Sequence, residues 1–133
     1  MAFVEMSADL IVDNRFIDGD HVKLIQLVND FHAALATGKA NGEVGRVLDI
    51  LIDYTQDHFA REESEMARIK YAQSITHKHE HSKLLHEVRR LSEDFENGRK
   101  MMTLDVAKFL KEWLTNHIMK TDMQFAKALN EHH

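Results

Sequence analysis

The sequence of 133 residues contains no cysteine and no proline, and it has only five glycines. Without cysteine, the chain can form neither a disulfide nor a thiolate metal site. Proline and glycine are the residues that most often interrupt helices, so their scarcity favours long continuous helices. The sequence also lacks an apolar run of about 18 residues, which a transmembrane helix needs. The length suits a single domain, residues 1–133, with one core.

The charge and the N-terminal residues exclude further classes of function. The formal net charge of -5 argues against a nucleic-acid partner, which would require a basic surface. The first residues do not form the basic and then apolar segment that is typical of a signal peptide. We therefore expect a cytoplasmic monomer that binds neither nucleic acid nor a membrane.

Four segments of the chain carry apolar residues at the three- and four-residue spacings of a helix. Long helices with short links predict an all-α fold, namely an antiparallel up-down-up-down four-helix bundle. Residues 1–17 show no helical period, so we expect an extended N-terminal arm that lies across the bundle. The predicted helices span about residues 19–36, 43–68, 74–96 and 103–130.

The third predicted helix carries two histidines on one face. His77 and His81 are four residues apart, so they lie one above the other on a helix. The same face continues with Leu84, Val88 and Leu91, which places both imidazoles at the start of an apolar stripe. A buried polar group without a partner is costly in free energy. The two imidazoles therefore require partners inside the bundle.

The other predicted helices also direct histidines toward the core, and two of them add a carboxylate. These residues are His21, His58 and His117, with Glu62 and Asp122. Five imidazoles and two carboxylates on inner faces predict a metal site rather than an acid/base pair. A tetrahedral zinc ion takes only four ligands, so the set suits two ions bridged by the carboxylates. Imidazole and carboxylate without sulfur suit iron, manganese, zinc or copper.

One pair in this set is out of phase with a regular helix. Asp122 follows His117 by five residues, which is about 140° around the helix axis. A local widening to i→i+5 hydrogen bonds would bring the two residues closer to one face. We therefore predict irregular helix geometry near residues 117–122.

Four motifs in this order make the chain similar to a known family. They are IDGDH at residues 17–21, HFAREE at 58–63, HKHEH at 77–81 and WLTNHIMKTD at 113–122. With these motifs the chain resembles the hemerythrins, of the single-domain bacterial kind, from about residue 5 to residue 128.

The resemblance implies a cofactor and a role for each candidate residue. The cofactor would be two iron ions (Fe2+/Fe3+) with a bridging oxo or hydroxo group. One iron would keep an open position for dioxygen, and Leu114 would line the oxygen pocket. The seven implied ligands are His77, His81 and His117 on one iron, His21 and His58 on the open iron, and Glu62 and Asp122 as bridges.

The function implied by the resemblance is reversible dioxygen binding, for oxygen transport, storage or sensing. Neutral imidazoles add little negative charge, so the site favours a bound oxygen over O–O cleavage, which an apolar pocket would also disfavour. An oxygen-binding protein is thus expected rather than an enzyme. The alternatives are a peroxidase, oxidase or nitric-oxide-handling protein on the same site, and a sensory module whose N-terminal arm moves.

Three residues depart from the pattern of the family. Asp20 precedes His21 where glutamine is common, Met6 replaces a frequent tryptophan, and Ala72 replaces a usual proline. Asp20 adds negative charge beside a predicted ligand and could alter the tuning of the metal or its access to solvent. Glu63, beside the ligand Glu62, is predicted to be an ordinary solvated charge.

Overall fold

The computed structural model describes residues 2–99 and 101–132, and within them it is all-helical. Met1, Lys100 and His133, which the predicted domain includes, lie outside the described residues. A short 3-10 turn, Ala8–Leu10, lies in the N-terminal arm. The helices are α1 (Arg15–Ala36), α2 (Asn41–Ile69), α3 (Ser74–Glu96), α4 (Leu104–Glu112) and α5 (Met119–Glu131).

The first helix begins at Arg15, earlier than residue 19, so the arm ends at Asn14. The side chain of Asn14 caps α1 by accepting a hydrogen bond from the backbone N–H of Ile17 at 3.1 Å. The arm is fastened to α1 because Asn29 accepts from the N–H of Val4 at 2.7 Å and donates to its carbonyl at 3.0 Å. The arm therefore lies against the bundle, as predicted.

The fourth helix contains one widened turn. Residues Trp113–Ile118 are π-helical and join α4 to α5 without a break, and the N–H of Met119 donates to the carbonyl of Leu114. Irregular geometry is thus confirmed, but it begins before the predicted region of 117–122. The indole of Trp113 donates to the carbonyl of Leu84 at 3.1 Å and joins this turn to α3.

The helices form the predicted antiparallel four-helix bundle, in which α4, the π-helical turn and α5 together make the fourth helix. Helix α1 packs against α2 and α4, and α2 packs against α3, which in turn contacts the π-helical turn. Among the described residues, no helix is both long enough and apolar enough to cross a membrane.

The core contains two separate apolar clusters. The larger cluster includes Leu24, Leu48, Leu84 and Leu114, and the smaller one is built from Ile17, Met66, Phe125, Ala126 and Leu129. Along α1, the polar residues Asp20 and His21 lie between Ile17 of the small cluster and Leu24 of the large one. The order is reversed on α2, where Leu51 of the large cluster precedes His58 and Glu62, and Met66 of the small cluster follows them. A buried polar layer thus separates the two clusters.

Candidate metal centre

The polar layer contains six of the seven predicted ligands, and all six are buried. Helix periodicity explains this, since each helix that supplies a ligand places apolar residues one turn before or after it. Helix α1 supplies one residue, α2 and α3 supply two each, and α5 supplies one. They are His21, His58, Glu62, His77, His81 and Asp122.

The donor atoms of these six residues form two groups that share one residue. In each group the donor atoms lie within 4.8 Å of one another. Asp122 belongs to both groups, so its carboxylate lies between them. The first group is Glu62, His77, His81 and Asp122, and the second is His21, His58 and Asp122.

The two oxygens of Asp122 face different histidines. Its Oδ2 is 2.8 Å from Nε2 of both His21 and His58, and its Oδ1 is 3.3 Å from Nε2 of His77. Burial alone would raise the pKa of Asp122, but the hydrogen bonds from these three rings hold that pKa well below its usual range. The carboxylate is therefore anionic and oriented toward both groups.

Glu62 is buried without the hydrogen bonds that Asp122 has. Neither of its oxygens has a hydrogen-bond partner among residues 2–99 and 101–132. Its Oε1 lies 3.1 Å from Nε2 of His81, 3.6 Å from that of His77 and 3.7 Å from that of His58. Burial, followed by the charge of Asp122, raises the pKa of Glu62 well above its usual range.

The unpartnered atoms fit a bound cation. Besides the Glu62 oxygens, Nε2 of His81 has no hydrogen-bond partner in the described part of the chain. Buried polar atoms are nearly always satisfied, so orphaned donor atoms that converge on one point indicate a missing partner. Nitrogen and oxygen donors at this spacing are ligands for a transition metal, and coordination would satisfy all of them.

The ring of His81 is prepared for this role. Its Nδ1 lies 2.8 Å from Oε2 of Glu63, a carboxylate that can only accept, so Nδ1 carries the proton and Nε2 presents its lone pair. Burial lowers the pKa of His81 to about 4, which keeps the imidazole neutral. Phe59 stacks on the ring at 3.7 Å between centroids. The prediction that Glu63 is an ordinary solvated charge is therefore wrong.

His58 is held by carboxylates on both sides of its ring. Nδ1 donates to Oδ2 of Asp20 at 2.8 Å, and Nε2 faces Asp122. Burial disfavours the charged ring, but the hydrogen bonds to Asp122 and Asp20 outweigh it and raise the pKa of His58 to about 10. A metal ion would therefore have to displace a proton from Nε2.

Asp20 is itself the centre of a small network that the sequence did not reveal. Its carboxylate accepts from the hydroxyl of Tyr54 at 2.8 Å and from the guanidinium of Arg61 at 3.0 and 3.2 Å. Burial opposes its ionisation, but hydrogen bonds from His58, Tyr54 and Arg61 leave the pKa of Asp20 below its usual value. The spacing of Tyr54, His58 and Arg61 on α2 was the available signal, since residues four and three apart share a helix face.

His117 is the one predicted ligand that the structure does not bring into the layer. Its side chain is exposed, and it belongs to neither group of donors. The prediction that it lies on the inward face is therefore wrong for this structure. The π-helical turn explains the difference, because widening shifts the phase of the helix and leaves Leu114, Ile118 and Met119 buried instead. Leu114 lies in the larger apolar cluster.

A surface cleft lies beside His77 of the first group. It has a volume of about 230 Å³, and the ring of His77 forms part of its wall together with Tyr71, Glu80, Thr121 and Gln124. In the second group, His21 and His58 are fully buried, and the buried residues Ile17 and Leu24 lie one turn before and after His21 on α1. Of the six buried candidate ligands, His77 is thus the one that borders this cleft.

Comparison with known proteins relates the chain to one family. The family model of the hemerythrin HHE cation binding domain matches residues 12–129. A bacteriohemerythrin of Methylococcus capsulatus is 38% identical over 115 residues, which cover 86% of this chain and 87% of that protein. One of Stenotrophomonas maltophilia is 31% identical over 132 residues, which cover 99% and 85%. The crystal structure of wild-type hemerythrin has a TM-score of 0.88 at 36% identity and covers 96% of this chain and 98% of its own. These matches show that the chain belongs to the hemerythrin family.

Proposed function

We propose that the chain binds dioxygen reversibly at a non-haem di-iron centre, for oxygen storage, delivery or sensing. The observation that carries this proposal is the position of Asp122, whose two oxygens face two separate groups of buried histidines. Glu62 lies in the same layer, and its oxygens have no hydrogen-bond partner among the described residues. Two carboxylates between groups of imidazoles are a donor set for a pair of ions, since one ion would leave donors unused.

The proposed ligands divide unequally between the ions. When bound, iron cycling between Fe2+ and Fe3+ with a bridging oxo or hydroxo group would supply the redox chemistry of oxygen binding. Glu62 and Asp122 would bridge, and the unequal histidine sets leave an open position on one side. The first ion would be held by His77, His81 and His117, and the second by His21 and His58.

The surroundings of the layer suit a carrier. Its two apolar clusters exclude water from above and below, with Phe125 and Met66 on one side and Leu24 and Leu84 on the other. A site that excludes water protects a bound oxygen from protons and from hydrolysis. We propose that Leu114, which is fully buried in the larger apolar cluster, lines the oxygen pocket.

The protonation of Asp20 bears on the choice between an oxygen carrier and an enzyme at this site, and it favours the carrier. A peroxidase or oxidase would need an acid that delivers protons to the bound oxygen. Asp20 is a carboxyl group next to the layer, but it accepts hydrogen bonds from His58, Tyr54 and Arg61. Its low pKa makes it a poor proton donor.

The role of His117 requires a movement. Since its side chain is exposed, it must turn inward to complete the first set of ligands. The π-helical turn is the natural place for this change, because widened turns in helices often occur at functional sites.

The decisive experiment is metal analysis combined with optical spectra of the reduced, oxygenated and oxidised protein. We expect two irons per chain and an absorption band that appears with oxygen, disappears on its removal and returns on re-exposure. His77→Ala should abolish the band, whereas His79→Ala, an exposed histidine in the same motif, should retain it. Irreversible oxidation on first contact with air would contradict the carrier function.

We also propose that the protein acts in the cytoplasm as a monomer with dioxygen as its partner. The absence of cysteine is compatible with a reducing compartment. Sizing of the iron-loaded protein should give a mass near 15.5 kDa. A dimer at micromolar concentration would contradict the monomer.

A further inference from the structure

The carboxylate of Asp20 reaches across from α1 to a ligand on α2. Asp20 directly precedes His21, yet it bonds to the ring of His58, with Oδ2 at 2.8 Å from Nδ1. The residue is only 8% exposed. Tyr54 and Arg61 donate to the same carboxylate, so both of its oxygens are occupied. A carboxylate held by three residues has little freedom to rotate.

Helix α2 builds this network around its own ligand. Tyr54 precedes His58 by four residues and Arg61 follows it by three, so all three share one helix face. The guanidinium of Arg61 also lies over the ring of Tyr54, at 5.4 Å from its centroid. Arg61 is 42% exposed and lies at the solvent edge, where it shields Asp20 from water.

The second nitrogens of two other candidate ligands, His81 and His21, are held less firmly. His81 donates to Glu63, whose side chain is 33% exposed and makes this one hydrogen bond among the described residues. Nδ1 of His21 has no hydrogen-bond partner in residues 2–99 and 101–132. The ring of His58 is thus more firmly oriented than those of His21 and His81, and it lies on the side proposed to keep the open position.

We propose that Asp20, fixed by Tyr54 and Arg61, is a positioning residue that orients the ring of His58 and strengthens it as an iron ligand. The inference rests on the proposed function, because it concerns a ligand of the proposed iron site. A carboxylate that accepts from the far nitrogen of a ligating histidine fixes its tautomer and raises its basicity. A more basic ligand stabilises Fe3+ more than Fe2+, so the network lowers the reduction potential of the iron that His21 and His58 hold.

Substitutions at Asp20 separate orientation from charge. Asp20→Asn keeps the size and one acceptor oxygen but removes the charge, whereas Asp20→Ala removes both. Loss of an outer partner of a metal ligand lowers metal affinity by about 10- to 100-fold. We expect Asp20→Ala to weaken one of the two irons by this factor and to raise its potential, with Asp20→Asn in between. Tyr54→Phe, which removes one of the bonds to the carboxylate, should show a smaller change of the same sign.

The control is Asp57→Asn, which removes the same charge from the exposed residue next to His58. Iron affinity is measured anaerobically by competition with a chelator, and the potential by redox titration. Both Asp20 variants matching Asp57→Asn in affinity and potential would overturn the proposal. If Asp20→Ala fails to fold, Asp20→Asn and Tyr54→Phe still decide it, because both preserve the packing of the α1–α2 contact.

Titration with Co2+ separates this inference from the proposed function. Cobalt ligation gives visible bands that depend on ligand geometry and need no dioxygen. We expect Asp20→Ala to weaken Co2+ binding and to alter these bands, and Asp57→Asn to leave both unchanged. If the wild-type protein fails to bind oxygen while the cobalt result holds, the function is wrong and the positioning role stands. Unchanged cobalt binding and bands in Asp20→Ala would overturn the positioning role alone.

Discussion

Glu62 should make the iron-free protein less stable and the iron-loaded protein more stable. Its carboxyl group is fully buried, and neither oxygen has a hydrogen-bond partner among the described residues. Burial, followed by the negative charge of Asp122, raises the pKa of Glu62 well above its usual range, so the ionised carboxylate is in an unfavourable environment. Replacing it with methionine, an apolar side chain of adaptable shape, removes this unfavourable group.

The size of the effect follows from the buried oxygens. An unsatisfied buried polar group destabilises a fold by about 1–3 kcal/mol, so Glu62→Met should stabilise the iron-free protein by about 2 kcal/mol. With an unfolding entropy of about 2.1 cal/mol/K per residue over the 133 residues, this raises Tm by about 7 °C. Bound iron should make wild type more stable than the Glu62→Met variant. Wild type should gain about 2.7 kcal/mol, or about 10 °C, at free iron 100-fold above Kd, and the variant much less.

Thermal unfolding of both proteins with and without Fe2+ under anaerobic conditions tests this reversal. Glu65→Met serves as the control, because Glu65 lies on the same helix in a surface pair with Arg68 and should change Tm little in either state. A Glu62→Met variant that is less stable than wild type without iron would refute the argument from the unpartnered oxygens. An undiminished gain of stability with iron would refute the bridging role.

Three further predictions concern the surroundings of the layer. His117→Ala should leave the Tm of the iron-free protein unchanged, because the side chain is exposed. The same variant should bind iron more weakly than wild type in a chelator competition. Equal iron affinity would show that His117 is not a ligand. Leu114→Ala, at a fully buried position, should destabilise the fold by about 3–5 kcal/mol in urea and speed oxidation of the oxygenated form. Burial and the bond to Asp20 raise the pKa of Tyr54 to about 12, so its ultraviolet titration should fall toward 10 in Asp20→Asn. Because folding raises the pKa of Tyr54, its neutral hydroxyl contributes to the free energy of unfolding in full below pH 10. This contribution is lost as the pH rises toward 12.

The bundle could be predicted from sequence because local signals and packing agree along all four helices. The absence of proline removes internal breaks, and apolar residues at three- and four-residue spacings leave one buried face per helix. The pairs His58 with Glu62 and His77 with His81 follow from the same geometry, since residues four apart share a face. The start of α1 was missed because Asn14 caps it before the apolar period becomes visible.

The parts of the site that sequence could not predict depend on contacts between helices or on irregular turns. Asp20 looks like a charge beside His21, and only the approach of α2 places it on His58. Glu63 appears to point away from Glu62, yet α3 brings the ring of His81 to it. The exposure of His117 depends on where the widened turn begins, which i, i+5 spacing indicates only approximately.

The layer also explains why a stable bundle retains a destabilising region. Apolar residues at Glu62 and Asp122 would join the clusters around Leu84 and Phe125 into one core, and replacing buried charges in this way is often neutral or stabilising. The fold does not require the layer, because the helices are specified by their apolar faces on either side of it. Its carboxylates and the unpartnered nitrogen of His81 are therefore explained by ligand binding rather than by folding. The stability lost in the iron-free protein is recovered through the bound metal, so the folded population should depend on iron supply.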